Sequence, residues 1–191
     1  MSDFPWGGGR GTSARRPVGR RVGVASAGYE EPMSASTVST VDVGPHRVAR
    51  RVLVKAPAAE VFAIVSDPHR HPELDGSGTV RDVDVKGPHH LSVGDKFTVG
   101  MKQFGVPYKI TSTVTEVQEG KVVEWQHPLG HRWRWELTEA TPGDTTITEV
   151  TETFDYSTAK VPLMITALGY DKKNGDGITS TLERLAQRFG G

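Results

Sequence analysis

Two side chains stand out as groups that could move a proton. Glu152 lies in the run Thr145 to Tyr156 and shares parity with Val150, Phe154 and Tyr156. Alternate residues of a strand share a face, so this carboxyl is expected to point inward with them. A desolvated carboxyl has a raised pKa and can serve as an acid or a base. His127 follows Val123 and Trp125 at the same parity, and an imidazole titrates in the physiological range. Each has a plainer reading as well: an ion pair with a strand neighbour for Glu152, a packed core ring for His127. The runs around them alternate in the same way and place Phe97, Met101, Tyr108, Trp125, Trp133, Trp135, Phe154 and Tyr156 on inward faces. Met164 and Leu168, in the terminal helical stretch, complete the candidate lining. Large aromatics with a few polar ends suit a ligand that is mostly apolar with some polar groups.

Other chemistries find less support. His69 and His71 stand two apart, His89-His90 are adjacent, and His127 and His131 frame a turn, with Asp67, Glu73 and Asp75 nearby. Yet His69-Arg70-His71 lies between Pro68 and Pro72, in loop-like sequence without a second paired motif at fixed spacing, so no metal site is expected. No Gly-rich phosphate loop runs into Lys-Ser/Thr, and no cofactor is expected. The run His131-Arg132-Trp133-Arg134-Trp135 interleaves cations with aromatics as single-strand binders do. Strand alternation sends the two kinds to opposite faces, and Lys plus Arg equals Asp plus Glu at 23 each. A nucleic-acid partner is therefore not expected. The chain has no cysteine, which removes disulfides and thiol nucleophiles and points to a reducing, cytoplasmic setting. No stretch approaches the roughly 18 apolar residues of a membrane span.

The elements that must position these groups occupy only part of the 191 residues. Hydrophobic content is a lean 36%, with 22 Gly and 12 Pro, and the lean part is the front. Residues 1–45 carry Gly7-Gly8-Gly9, Arg15-Arg16 and Arg20-Arg21 without apolar periodicity. They read as a disordered tail, with a transit peptide or a start at Met33 as further readings. Residues 46–191 read as one domain. A strand over Val48–Val54 leads to a helix from Pro57 to Val65, which Asp67-Pro68 stops. Six alternating runs follow: Thr79–Val85, Lys96–Lys102, Val106–Val117, Lys121–His127, His131–Thr138 and Thr145–Tyr156. They are separated by turn signals such as Gly87-Pro88 and Pro142-Gly143-Asp144, and they read as an antiparallel meander. Two helical stretches, Val161–Tyr170 and Ile178–Phe189, close the chain. Asn174-Gly175-Asp176-Gly177 is expected to break or kink the helix between them. The order is α+β.

That order, together with several local matches, resembles the START-like or SRPBCC superfamily, which includes birch-pollen-allergen-like proteins and polyketide cyclase/dehydrase-type proteins. Arg51-Val52-Leu53-Val54-Lys55-Ala56-Pro57-Ala58-Ala59-Glu60-Val61-Phe62 looks like the family opening. Asp67-Pro68 and His71-Pro72-Glu73-Leu74 stand where the family has a segment ending in Trp, which is absent here. Gly94-Asp95-Lys96-Phe97 matches its G-x-x-F, and Trp125, Trp133 and Trp135 fall in its central strands. The resemblance runs from residue 48 to residue 189. It implies a helix-grip fold, in which a curved antiparallel sheet of about six or seven strands wraps a long C-terminal helix around an apolar cavity. The function it implies first is binding of a small hydrophobic or amphipathic ligand, whether lipid, polyketide or aromatic metabolite. A cyclase or dehydratase using Glu152 and His127 is the second reading, and a protein-interaction module the third. Oligomeric state is left open.

Overall fold

The computed structural model describes residues 37–103 and 105–190, with the side chains of all but 81–84 and 103. Eight strands form one antiparallel sheet in the order β1-β2-β8-β7-β6-β5-β4-β3. They are β1 (Ser39–Val41), β2 (Arg47–Val54), β3 (Val80–Lys86), β4 (Lys96–Gln103), β5 (Val106–Gln118), β6 (Val122–Gln126), β7 (Arg132–Ala140) and β8 (Ile147–Asp155). From β3 to β8 each strand pairs with its successor, as short turns between alternating runs dictate, and β2 closes on β8.

Between β2 and β3 lie α1 (Ala58–Val65), a 3-10 turn (Pro68–Arg70) and α2 (His71–Leu74). Pro57 caps α1 in extended conformation, and Val61, Phe62, Ile64 and Val65 are buried. Pro68 then begins the next turn, where its missing N–H costs nothing, and the Asp67 carboxylate accepts from the His69 N–H. The chain ends in α3 (Pro162–Ala167) and α4 (Tyr170–Arg188). Ile178, Leu182 and Leu185 of α4 are fully buried against the sheet, in one core with Val52, Val54, Phe97, Val114, Val123 and Val150.

Two expectations need correction. β1 pairs with β2 through Ser39–Arg51 and Val41–Ala49, so the domain begins before residue 46 and the sheet has eight strands rather than six or seven. Three residues of β1, with Val41 half-buried, carry too short a pattern to register as a strand. The rest of the expected tail, residues 1–36, lies outside the described residues. The second correction concerns the last helix, which runs unbroken through Asn174-Gly175-Asp176-Gly177. Its interruption falls earlier, at Gly169, whose φ of 68° separates α3 from α4. Each helical glycine costs about 1 kcal/mol relative to alanine, and here each allows close packing. A Cβ on Gly175 would lie 3.1 Å from Arg50 Nη2 and 3.2 Å from Val48 Cγ1, and one on Gly177 would lie 3.3 Å from Ser77 Cβ. Tertiary contact overrides the local propensity.

Candidate functional site

A cavity of about 680 Å³ opens between the sheet, α2, α3 and α4. Its walls are built by alternation. β7 turns Trp133, Trp135 and Leu137 inward, while Arg132 and Arg134 on the outer face meet Glu124 and Glu116. β8 turns Val150, Glu152 and Phe154 inward, β6 supplies Trp125, and β4 supplies Phe97, Val99 and Met101. The rings interlock: Phe97 stands edge-on to Trp125 at 5.5 Å, and Trp133 packs against Phe154 at 5.0 Å. Such offset and edge-on pairs are the favoured aromatic geometries.

Of the residues singled out in the sequence, Phe97, Met101, Tyr108, Trp125, His127, Trp133, Trp135, Glu152, Phe154, Met164 and Leu168 all border the cavity. Met164 and Leu168 are largely exposed, as is Leu163 of the same short helix, so α3 lies at the rim. Tyr108 also stands at the outer end of its strand, more than a third exposed. Tyr156 does not border the cavity. β8 ends at Asp155, the Tyr156 N–H donates to His46 O, and its ring stacks on Phe154 while its hydroxyl meets Thr166 Oγ1 at 3.3 Å. Tyr156 is thus buried in the core as parity expects, but beyond the cavity.

Glu152 is the polar feature of the floor. It is 6% exposed, and its Oε2 has no hydrogen-bond partner. Arg50 stands directly opposite on β2, yet its guanidinium donates to Ala49 O and lies near Gly175. Burial pushes the Glu152 pKa well above the ordinary carboxyl range, and the Asp75 carboxylate adds to the effect. Asp75 is held at the cavity wall by Ser77 N–H and Oγ and by Val80 N–H. Both effects favour the protonated form of Glu152, the form that can donate a hydrogen bond.

His127 forms a pair that its strand parity alone does not reveal. Its Nδ1 lies 2.7 Å from Nε2 of His131 across the β6–β7 turn. One ring must donate and the other accept, so neither needs a charge. Burial lowers His127 to about 3, helped by the neighbouring His131, and burial lowers His131 to about 4. Glu152 and this pair are on separate parts of the wall, and no hydrogen bond joins them among the described residues.

One lining residue escaped the strand reading. His71, at the start of α2, stacks on Trp125 at 5.1 Å and stands edge-on to Phe97. Its Nε2 lies 3.0 Å from Val65 O. Because a carbonyl only accepts, Nε2 carries the proton and Nδ1 keeps its lone pair. Desolvation lowers its pKa, which favours the neutral ring. The signal available in sequence was its spacing from the buried Leu74, three residues on.

Chemically, the arrangement is an aromatic chamber with a buried carboxyl of raised pKa, the Asp75 carboxylate on its wall and three imidazoles whose pKa values burial lowers. It can hold an apolar body and exchange hydrogen bonds with a polar end. No helix among the described residues is long and apolar enough to cross a membrane.

Comparison with known proteins agrees with this architecture. The chain is 49% identical over 188 residues to "Uncharacterized protein Rv0088" of Mycobacterium tuberculosis, a match covering 96% of this chain and 79% of that protein. Among solved structures, protein Ms6760 from Mycobacterium smegmatis superposes with a TM-score of 0.54 at 16% identity, covering 78% of this chain and 97% of the other. Protein NE0264 from Nitrosomonas europaea gives 0.54 at 18%, covering 78% and 98%. At such identities these two share the fold alone. A family model described as polyketide cyclase/dehydrase and lipid transport matches residues 45–190, which takes in every cavity-lining residue. The chain belongs to the polyketide cyclase/dehydrase and lipid transport family, whose fold is one that binds hydrophobic ligands.

Proposed function

We propose that this protein binds a single small, uncharged and mainly apolar molecule, of the lipid, polyketide or aromatic-metabolite class, through an oxygen that accepts the Glu152 proton. The observation that carries the reading is the buried Glu152 carboxyl in the floor of an aromatic cavity, with an Oε2 that has no partner and a pKa that burial raises. A buried polar atom without a partner is costly, and a ligand carbonyl or hydroxyl oxygen would relieve that cost. An anionic head group would face the Asp75 carboxylate and the same burial that raises the Glu152 pKa. A volume of about 680 Å³ is within the range of sites for drug-sized ligands. The cysteine-free composition supports a cytoplasmic location for this binder.

Native mass spectrometry of protein purified from its own host tests the reading, and a co-purified neutral apolar molecule is the expected result. With that molecule in hand, Glu152→Gln retains a donor and should change affinity less than about threefold. Glu152→Leu removes the donor and should weaken binding about 3- to 10-fold, the worth of one hydrogen bond. An empty cavity in the host-purified protein, or equal affinity in both variants, would refute the assignment.

A second reading, a cyclase or dehydratase, is favoured by the same raised carboxyl, since an acid poised nearer neutrality suits general acid or base work. In that case Glu152→Gln lowers turnover by about 10²- to 10⁴-fold with KM little changed.

A further inference from the structure

A second cluster lies outside the cavity, where the 3-10 turn meets the β3–β4 connection. Asp67, His69 and His89 each offer a ligand atom, and the three atoms lie within 4.8 Å of one another. Asp67 Oδ2 and His89 Nδ1 are 2.9 Å apart, and the two imidazoles stack with centroids at 4.1 Å. We propose that Asp67, His69 and His89 form a binding site for a first-row divalent cation, Zn²⁺ by the chemistry of its ligands. This goes beyond the cavity reading and does not depend on it.

Ligand type is the first argument. Two imidazoles and one carboxylate suit Zn²⁺, whereas Mg²⁺ and Ca²⁺ prefer oxygen ligands alone. Spacing is the second. Tetrahedral Zn²⁺ with bonds of about 2.0–2.2 Å holds its ligand atoms about 3.3 Å apart. The Asp67–His89 pair needs only to open by a few tenths of an ångström, whereas the set as a whole, spread within 4.8 Å, must close in, and the exposed His89 ring must turn out of its stack on His69 to aim at the same ion. In that move the cation takes the place of the Nδ1 proton between the same two atoms, and the proton passes to Nε2 or to water.

The third argument is that the surrounding hydrogen bonds already orient the ligands. His69 Nε2 lies 2.9 Å from Gly87 O, so it carries the proton and leaves the Nδ1 lone pair for a metal. Gly87 itself packs closely on β4, where an added Cβ would come within 2.7 Å of Phe97 Cβ. Asp67 Oδ1 accepts from the His69 N–H, while Oδ2 meets only the His89 ring that the cation would share with it. A fourth position stays open to water. The occupied site would tie the β3–β4 connection to the turn that leads into α2, two residues before His71 and the cavity wall.

The test is titration of chelator-stripped protein with ZnCl₂ in competition with a chromogenic chelator, with X-ray absorption to read the ligands. The expected result is one Zn²⁺ per chain with two imidazole nitrogens in the shell, undisturbed by millimolar Mg²⁺. His89→Ala, which alters only an exposed side chain, should weaken binding at least about tenfold, and Asp67→Asn should do likewise. His127→Asn should bind as the parent does, because its ring lies at the other turn. Absence of one-to-one binding up to roughly 100 μM would overturn the proposal. So would undiminished affinity in a folded His89→Ala protein, which would place the ion elsewhere.

Discussion

The His127–His131 pair makes stability depend on acid in a way that can be worked out. Both rings are held neutral in the fold, at about 3 and about 4, against an ordinary 6.5 in the unfolded chain. Below pH 6.5 the unfolded state therefore binds protons that the folded state refuses, so stability is present above 6.5 and is lost as pH falls. An unfolded imidazole gains about 0.2 kcal/mol from protonation at pH 7 and about 2 kcal/mol at pH 5. The pair thus costs the fold up to about 4 kcal/mol over that interval, and nearer 2 once the part-exposure of His131 lets water screen its charge. The control is a double variant, His127→Asn with His131→Gln, in which amide groups stand where Nδ1 and Nε2 now meet. Urea unfolding of both proteins at pH 7, 6 and 5 gives the comparison. The parent should lose about 2–4 kcal/mol more than the double variant between pH 7 and pH 5. Parallel losses, within about 0.5 kcal/mol, would refute the view that the pair is buried and neutral.

Glu152 has the opposite sign. Its folded pKa is raised, so the parent loses stability as pH climbs from about 4.5 towards that value. Glu152→Gln should therefore raise the melting temperature more at pH 8 than at pH 5, by differential scanning calorimetry. Gly76→Ala should be severe, because its Cβ would lie 2.4 Å from the backbone nitrogen of Thr181 in α4. A loss of about 2–4 kcal/mol in chemical denaturation is expected. Trp125→Phe keeps an aromatic wall but removes the ring on which His71 stacks. It should weaken a neutral fluorescent probe such as N-phenyl-1-naphthylamine several-fold in a direct titration, with stability changed by less than about 2 kcal/mol.

What was legible in the sequence follows the reach of each signal. Period-two alternation in β7 and β8 placed Trp133, Trp135, Glu152 and Phe154 on the inner face, because parity is a local property of an extended chain. It also put Tyr156 in the interior, where the ring is buried on Phe154, but one residue past the end of β8 that ring lies beyond the cavity lining. His71, and His131 as partner of His127, depend on where a short helix and a turn come to rest, which periodicity does not encode. Asp67, His69 and His89 meet because a 3-10 turn and the connection after β3 are packed side by side. The sequence names all three, but the 20 residues between His69 and His89 leave their approach to the tertiary packing. β1 was missed because three residues carry too little pattern to separate a strand from a tail.

The glycines of α4 show why reading a helix break from propensity failed, and the failure leads back to the cavity. Gly175 and Gly177 weaken the helix locally, yet their missing side chains let α4 lie close over β2 and over the loop at Ser77. The guanidinium of Arg50 rests in the space that Gly175 leaves. Arg50 stands opposite Glu152 in the sheet, and of all the cations of β2 it is the one whose register would let it neutralise that carboxyl. A guanidinium drawn to the helix is not on the carboxyl, and Glu152 is left buried with an unsatisfied oxygen. A larger residue at 175 would close the space, push Arg50 away from the helix and favour its pairing with an ionised Glu152. The sequence feature that looks like a defect in the helix is thus tied to the unsatisfied buried carboxyl in the cavity floor, and with it to the ligand chemistry proposed above.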